Sequence, residues 1–246
     1  SCHQRKDGKF AISFTLLDNS QEDVFITMSG DIIKFSNIDT QDKALLKALK
    51  RYIAWLKLFE YKHSAVLGFK SQKGLIGELL FLKEQIEHGM LTKHAVSGWV
   101  GPAGADQDFI YDNGWHEIKS TSISSANISI SSIEQLDCNY EGELIIYRID
   151  KCAPAHPGAF TLYKLVHIIF DLIEKDFNVL NEFILKLASV GYIDMTEYDK
   201  QNFVFSSKKT YLVDMFFPRL RRKNIPTEVI NAEYNLSISS ISSWEK

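Results

Sequence analysis

Two carboxylates and a lysine are expected to meet on a short hairpin near the middle of the chain. Asp108, Glu117 and Lys119 flank Asn113-Gly114, a dipeptide that strongly favours a two-residue hairpin turn. That turn places Asp108 opposite Lys119 and Ile110 opposite Glu117, and opposed residues share one face of a hairpin. We therefore expect all three charged side chains on one face, with directly opposed Cβ atoms about 5 Å apart.

This group of side chains suits a divalent cation, because Mg²⁺ prefers hard oxygen ligands. The carboxylates of Asp108 and Glu117 and the backbone carbonyl of Ile118 are the expected ligands of Mg²⁺ or Mn²⁺. A cation there would favour phosphodiester hydrolysis, with Lys119 orienting the attacking water or stabilising the phosphate charge. Asp106 has the same strand parity as Asp108 and is an alternative ligand. A register shift of one residue would put the two acids on opposite faces and abolish the site.

The surrounding pattern predicts a mixed α/β fold with helix, three strands, short helix and strand in that order. Apolar residues at helical spacing predict a helix over about 73–88, and Glu78 lies at the edge of its apolar stripe. A carboxylate at that position needs a partner, so Glu78 either reaches out to solvent, pairs with a nearby lysine or supplies a third acid to the hairpin. After the hairpin we expect an edge strand at 127–131, a capped helical turn at 132–136 that carries Gln135, and a buried strand at 143–149.

The chain divides by its patterns into three parts, residues 1–62, 63–152 and 153–246. The first is predicted as a β meander with strands at 10–16, 24–28 and 32–35, followed by an amphipathic helix over 41–61. The last is predicted as an α+β extension packed on the core, with helices at 162–175 and 179–189 and strands at 203–205, 211–213 and 232–238. Four basic residues of one predicted loop are the best local candidates for contact with a DNA backbone, the alternative being an ordinary solvated loop: Arg219, Arg221, Arg222 and Lys223.

Composition and charge indicate which classes of protein the chain resembles least. The chain has 246 residues and a net charge of -3, which gives no global signature of nucleic-acid binding. Its three cysteines lack metal-type spacing and suit free thiols in a reducing cytosol, so we expect a cytoplasmic protein. The first residues are polar, unlike a secretory signal, and no apolar run reaches the roughly 18 residues that span a bilayer.

The run Gln107-Asp108-Phe109 followed by Glu117-Ile118-Lys119 resembles the bipartite motif of the PD-(D/E)XK nuclease superfamily, which includes restriction endonucleases. Gln107 stands where the name-giving proline would be. Further features resemble a bacterial family of "PD-(D/E)XK motif proteins" linked with restriction and phage-defence genes. These features are Gly77-Glu78-Leu79, Trp99, Ser120-Thr121, Gln135-Leu136, Phe217-Pro218-Arg219 and Tyr234.

The resemblance implies Asp108 and Glu117 as metal ligands, Lys119 as the catalytic lysine, Glu78 as the helix acid and Gln135 as a functional glutamine. It also implies a restriction-endonuclease-like core and a Mg²⁺- or Mn²⁺-dependent DNA endonuclease, acting as a homodimer or with partner subunits of a defence system. Two alternatives stay open. One is a non-catalytic relative that serves as a DNA-binding or assembly subunit, and the other is a structural ion-pair cluster on a plain binding module.

Overall fold

The computed structural model describes residues 66–246 without a break. Before these it describes residues 2–4, 10–12, 14–16, 19, 22–37, 44, 47, 48, 50–52, 54 and 55. The chain forms two compact units, Ser1–His63 and Ser64–Lys246. The predicted boundary after residue 152 falls within the second unit.

The first unit contains a helix where two strands were predicted. Strands β1 (Cys2–Gln4) and β2 (Phe10–Ile12) pair antiparallel, and helix α1 spans Glu22–Ser36. The predicted strands at 24–28 and 32–35 both lie in α1, so the predicted β meander was wrong. The buried residues of α1 are Met28, Ile32 and Phe35, which recur at helical spacing. Of the predicted helix over 41–61, residues 44, 47, 48, 50–52, 54 and 55 are helical and the others lie outside the described residues.

Asp31 shows why the supposed turn between those strands is helical. Its carboxylate accepts hydrogen bonds from Arg51 Nη2 at 2.7 Å and from Trp55 Nε1 at 2.8 Å. The Asp31 side chain is therefore bound by later helical residues, whereas in the predicted turn it would be exposed to solvent. Tertiary contacts therefore override the strand preference of the β-branched residues in this segment.

The second unit is built on a five-stranded mixed sheet, which confirms the predicted α/β class. Its strands are β3 (Phe109–Tyr111), β4 (Gly114–Thr121), β6 (Gly142–Lys151), β7 (Phe160–Thr161) and β8 (Asn202–Val213). The spatial order is β3-β4-β6-β8-β7, where β4 and β6 run parallel and the other neighbours antiparallel. The two short strands predicted at 203–205 and 211–213 belong to one strand, β8.

Both faces of this sheet are covered. One apolar cluster joins Ile118, Ile145 and Tyr147 of the sheet to the helices α2 (Phe69–Glu87), α3 (Thr92–Ser97), α4 (Leu162–Ile173) and α5 (Phe177–Ser189). A second cluster joins Trp115, Leu144 and Ile146 to a two-stranded sheet of β5 (Asn127–Ile130) and β9 (Tyr234–Ser237) and to the 3₁₀ segment Ser239–Trp244. Strand β4 is therefore buried on both sides, as in the inner strands of layered α/β folds.

Two details of the predicted core differ from the structure. The strand predicted at 127–131 is present as β5, but it pairs with β9 and not with the main sheet. The helix predicted at 132–136 is a turn, in which Asp137 N donates to Glu134 O at 3.2 Å. In the described part of the chain, no helix combines the length and the apolar character needed to cross a membrane.

Candidate functional site

The hairpin that carries the acids turns one residue earlier than predicted. Observed pairs are Phe109 with His116, Ile110 with Trp115, and Tyr111 with Gly114, so the tip is Asp112-Asn113. A type I′ turn over Asn113-Gly114 needs positive φ at both residues, whereas the described residues with positive φ are all glycines. Gly114 has φ 137° and begins β4 instead of completing the turn.

This error changes the partners but not the faces. Continuing the observed register past β3 places Asp108 opposite Glu117, not opposite Lys119 as predicted. The slip is two positions, and side chains alternate with a period of two. Asp108, Glu117 and Lys119 therefore still share one face, the face of Trp115 and not that of Ile118.

Asp108 is fixed by the backbone around it. Its Oδ2 accepts a hydrogen bond from Ile118 N at 2.7 Å, and its carbonyl accepts from Val100 N at 2.9 Å and Gly101 N at 3.0 Å. A residue of an antiparallel pair directs its N–H and C=O to the same side, so the Ile118 carbonyl also faces Asp108. A Cβ at position 101 would lie 3.1 Å from Asp108 Oδ1, so the glycine leaves room beside that oxygen.

The neighbouring residues have different positions. Asp106, the alternative ligand, is exposed in a bend before the strand. Gln107, at the position of the name-giving proline, donates from Nε2 to Glu134 O at 2.9 Å. This hydrogen bond joins the entry of the hairpin to the segment that carries Gln135.

Glu117, Lys119 and Gln135 form a connected group. Lys119 Nζ lies 2.7 Å from Glu117 Oε1 and donates to Gln135 Oε1 at 2.9 Å. Gln135 Oε1 also accepts from Ser131 N at 2.9 Å, which fixes the amide. Glu117 is 1% exposed, and among the described residues neither of its carboxylate oxygens has a hydrogen-bond partner of good geometry. Its contact with Lys119 is therefore an ion pair that leaves acceptor capacity unused.

Glu78 joins this group from helix α2. Its Oε2 accepts a hydrogen bond from the indole Nε1 of the buried Trp99 at 2.7 Å. The partner is thus an indole and not the lysine that the sequence offered as one alternative. Close packing brings α2 near the hairpin, since a Cβ on Gly77 would overlap the hydroxyl of Ser120 in β4.

Comparison with known proteins gives a family for the chain. A family model described as "Putative PD-(D/E)XK family member" (DUF4420) matches residues 1–239. The chain belongs to this family. No curated protein and no solved structure shows significant similarity to the chain. The family assignment thus confirms the resemblance, and its match spans the whole hairpin site.

Burial governs the electrostatics of this PD-(D/E)XK site. Loss of water raises the pKa of Glu117 to about 8, with the Asp108 charge adding to the rise and Lys119 opposing it. Burial likewise raises the pKa of Asp108 to about 6, against the Ile118 hydrogen bond and Lys119. The pKa of Glu78 is raised well above its ordinary value, first by burial and then by Asp108. Three acids therefore compete for one ammonium, which is the pattern of a functional site.

The donor set fits a hard divalent cation. In the described ranges no three His, Cys, Asp or Glu side chains are arranged to share one ion. The predicted set needs only two side chains, Asp108 and Glu117, together with the Ile118 carbonyl. The unpartnered oxygens of Glu117 and the space that Gly101 leaves beside Asp108 agree with oxygen coordination.

The basic loop divides into two kinds of residue. Arg221 Nε lies 2.9 Å from Asp137 Oδ1, and Arg222 Nε donates to Glu134 Oε1 at 2.6 Å. Arg222 also donates to the carbonyls of residues 229 and 230, at 2.9 and 2.6 Å. These two arginines thus join the basic loop to Glu134 and Asp137 and to the backbone at residues 229 and 230. Lys223 is exposed in the 3₁₀ turn 222–224.

The roles of two residues of the site were missed from the sequence: Trp99 was named only through the family resemblance, and Gly101 was taken as part of a turn. Trp99 holds the Glu78 carboxylate, and Gly101 makes room beside Asp108. Signals for both existed in the sequence. A buried indole N–H needs an acceptor, and Glu78 at the edge of an apolar stripe needs a donor.

Proposed function

We propose that this protein is a metal-dependent nuclease that hydrolyses phosphodiester bonds within DNA, in restriction or phage defence. The observation that carries the proposal is the group of Asp108, Lys119 and the buried Glu117 on one hairpin face. Glu78 and Gln135 approach it from a helix and a turn. Membership of the PD-(D/E)XK family supports a nuclease-like activity.

Each group has a defined role in this proposal. The carboxylates of Asp108 and Glu117 and the carbonyl of Ile118 would hold Mg²⁺ or Mn²⁺. A cation held there would supply Lewis acidity towards the phosphate and the attacking water. Lys119 presents its ammonium to the same place, where it orients water or a phosphate oxygen. Gln135 fixes the direction of Lys119, since one amide oxygen accepts from both Lys119 Nζ and a backbone N–H.

A purely structural ion-pair cluster accounts less well for these side chains. Exposed cross-strand pairs contribute only about 0.2–1 kcal/mol, and buried ones are favourable only when all their polar atoms are satisfied. Glu117 is fully buried, its pKa is raised to about 8 in spite of the ion pair with Lys119, and its oxygens keep unused acceptor capacity. The arrangement thus opposes folding, as expected for groups that bind a ligand.

Cleavage of supercoiled plasmid DNA in Mg²⁺ or Mn²⁺ tests the proposal. We expect nicking by the wild type, loss of nicking in EDTA, and a rate lower by about 10²–10³-fold for Lys119→Ala. Lys93→Ala removes an exposed lysine of helix α3 and serves as the matched control with wild-type activity. Equal cleavage by wild type and Lys119→Ala would refute the assignment. DNA binding without any cleavage would support the non-catalytic alternative.

The assigned ligands have a separate test. Asp108→Asn removes a charged oxygen ligand, so we expect weaker Mn²⁺ binding by calorimetry than in the wild type. Unchanged affinity would place the cation elsewhere. Duplex cleavage needs two active sites, so we also propose a second copy of the chain or partner subunits of a defence system. Linear rather than nicked plasmid would be the product of such a paired assembly.

A further inference from the structure

Arg219 carries buried donors that are unused. Its Nε and Nη1 atoms are buried and have no hydrogen-bond partner in the part of the chain described. Burial, followed by the nearby charge of Arg221, lowers the pKa of Arg219. A guanidinium keeps its proton all the same, so a buried one without a partner calls for an anion. Phe217, in the second apolar cluster, and the ion-paired Arg221 fix the chain on either side of it.

Tyr234 lies near both Arg219 and the acids of the hairpin. It begins β9 opposite Ile130, and its buried hydroxyl donates to no group among the described residues. Burial raises the pKa of Tyr234 to about 12, a hydrogen bond from the Leu220 backbone opposes this rise, and the charges of Arg219 and Glu117 act on it in opposite directions. The hydroxyl therefore lies in the electrostatic range of both the guanidinium and the candidate metal ligand.

The acids beside the neighbouring loop arginines are already engaged. Asp137 accepts from Arg221 Nε at 2.9 Å and from Arg222 N at 2.8 Å. Glu134 accepts from Arg222 Nε at 2.6 Å. Two guanidinium nitrogens of Arg219 and the hydroxyl of Tyr234 are thus left as unused donors, and charged N–H groups of arginine suit phosphate oxygens.

We propose that Arg219 and Tyr234 form a phosphate-binding subsite beside Glu117, in which they donate hydrogen bonds to non-bridging phosphate oxygens. The inference rests on the proposed function, because the phosphate belongs to the DNA strand that the hairpin site would cleave. Of the four basic loop residues, Arg219 is thereby assigned to the phosphate, while Arg221 and Arg222 hold the loop.

Binding of inorganic phosphate to the full chain without metal tests the subsite independently of cleavage. Calorimetry should give a dissociation constant at least about tenfold higher for Arg219→Gln than for the wild type, and a smaller increase for Tyr234→Phe. Lys175→Gln is the matched control, since it also removes one positive charge, at an exposed position between α4 and α5. Equal phosphate affinity in wild type and Arg219→Gln would overturn the subsite.

Stability and plasmid nicking complete the test. Arg219→Gln removes unsatisfied buried donors, so its melting temperature should not fall below that of the wild type. Tyr234→Phe removes one oxygen at almost constant volume and carries the test if Arg219→Gln fails to fold. In an active wild type, Arg219→Gln should lower kcat by about 10²-fold with a smaller change in KM.

The outcomes separate the subsite from the activity. Phosphate binding that depends on Arg219 in a wild type that cleaves no DNA would support the subsite and refute the nuclease proposal. Normal cleavage and normal phosphate binding by both variants would overturn the subsite and leave the nuclease proposal standing.

Discussion

Replacement of Glu117 by glutamine should stabilise the metal-free protein, even though it removes a proposed ligand. Burial raises the pKa of Glu117 from 4.5 to about 8, so the folded chain holds this proton more tightly than the unfolded chain. The associated stability is fully present below pH 4.5 and is lost as the pH rises through 8. At about 1.4 kcal/mol per pH unit, the loss approaches about 5 kcal/mol above pH 8. Glutamine resembles the protonated acid at every pH and avoids this loss.

Urea unfolding in EDTA at several pH values between 5 and 9 would measure the effect. The free energy of unfolding of Glu117→Gln should exceed that of the wild type by an amount that grows with pH and levels off above pH 8. Glu143→Gln is a matched control on strand β6, because hydrogen bonding to His116 lowers the pKa of Glu143 to about 2. Its folded form favours the charge, so this variant should be destabilised and should not gain stability over the wild type towards pH 9 as Glu117→Gln does.

A Glu117→Gln variant with the same pH dependence as the wild type would refute the reasoning. Such a result would mean that Glu117 ionises in the folded chain at little cost. The carboxylate would then be reached by solvent despite its burial, or be stabilised by Lys119 more strongly than its raised pKa indicates. The case for a site that is stabilised by a ligand would fall with it.

Two further predictions concern the cation and the helix. At pH 7 Mn²⁺ binding should release about one proton, because Glu117 with its pKa of about 8 must ionise to coordinate the cation. Calorimetry in buffers of different ionisation enthalpy measures this release. A binding enthalpy that is the same in every buffer would contradict the prediction. Gly77→Ala should lower stability by about 1–3 kcal/mol, since its Cβ would overlap the hydroxyl of Ser120. Gly74→Ala, on the same helix with nothing within 4 Å, should be neutral or stabilising in the same thermal melts.

The grouping of the hairpin acids could be predicted from the sequence because it depends on parity alone. Alternation fixes which residues share a face, and a slip of two positions leaves that set unchanged. The pairing itself depends on φ at Asn113, which the dipeptide Asn-Gly favours as positive and the structure does not adopt. Local preference therefore gave the correct face for Asp108 and Glu117 but the wrong partner for each.

Elements that depend on distant contacts were harder to predict. Helix α1 contains β-branched residues and a glycine, and its helical form is supported by Asp31 contacts with Arg51 and Trp55, some twenty residues later in the chain. Strand β5 could be predicted from alternation, but its partner β9 is more than one hundred residues away. The same holds for Arg221, which looks like a solvated base until Asp137 is placed beside it.

The two loop arginines bind the acids on either side of Gln135. Arg222 pairs with Glu134 and Arg221 with Asp137, while Gln135 itself holds Lys119. A displacement of the loop would therefore move the glutamine and turn the lysine. A ligand that bound the loop and displaced it would therefore be thermodynamically linked to the orientation of Lys119, each changing the other by the same free energy. In the proposed nuclease, such linkage would favour cleavage of DNA that also engages the loop.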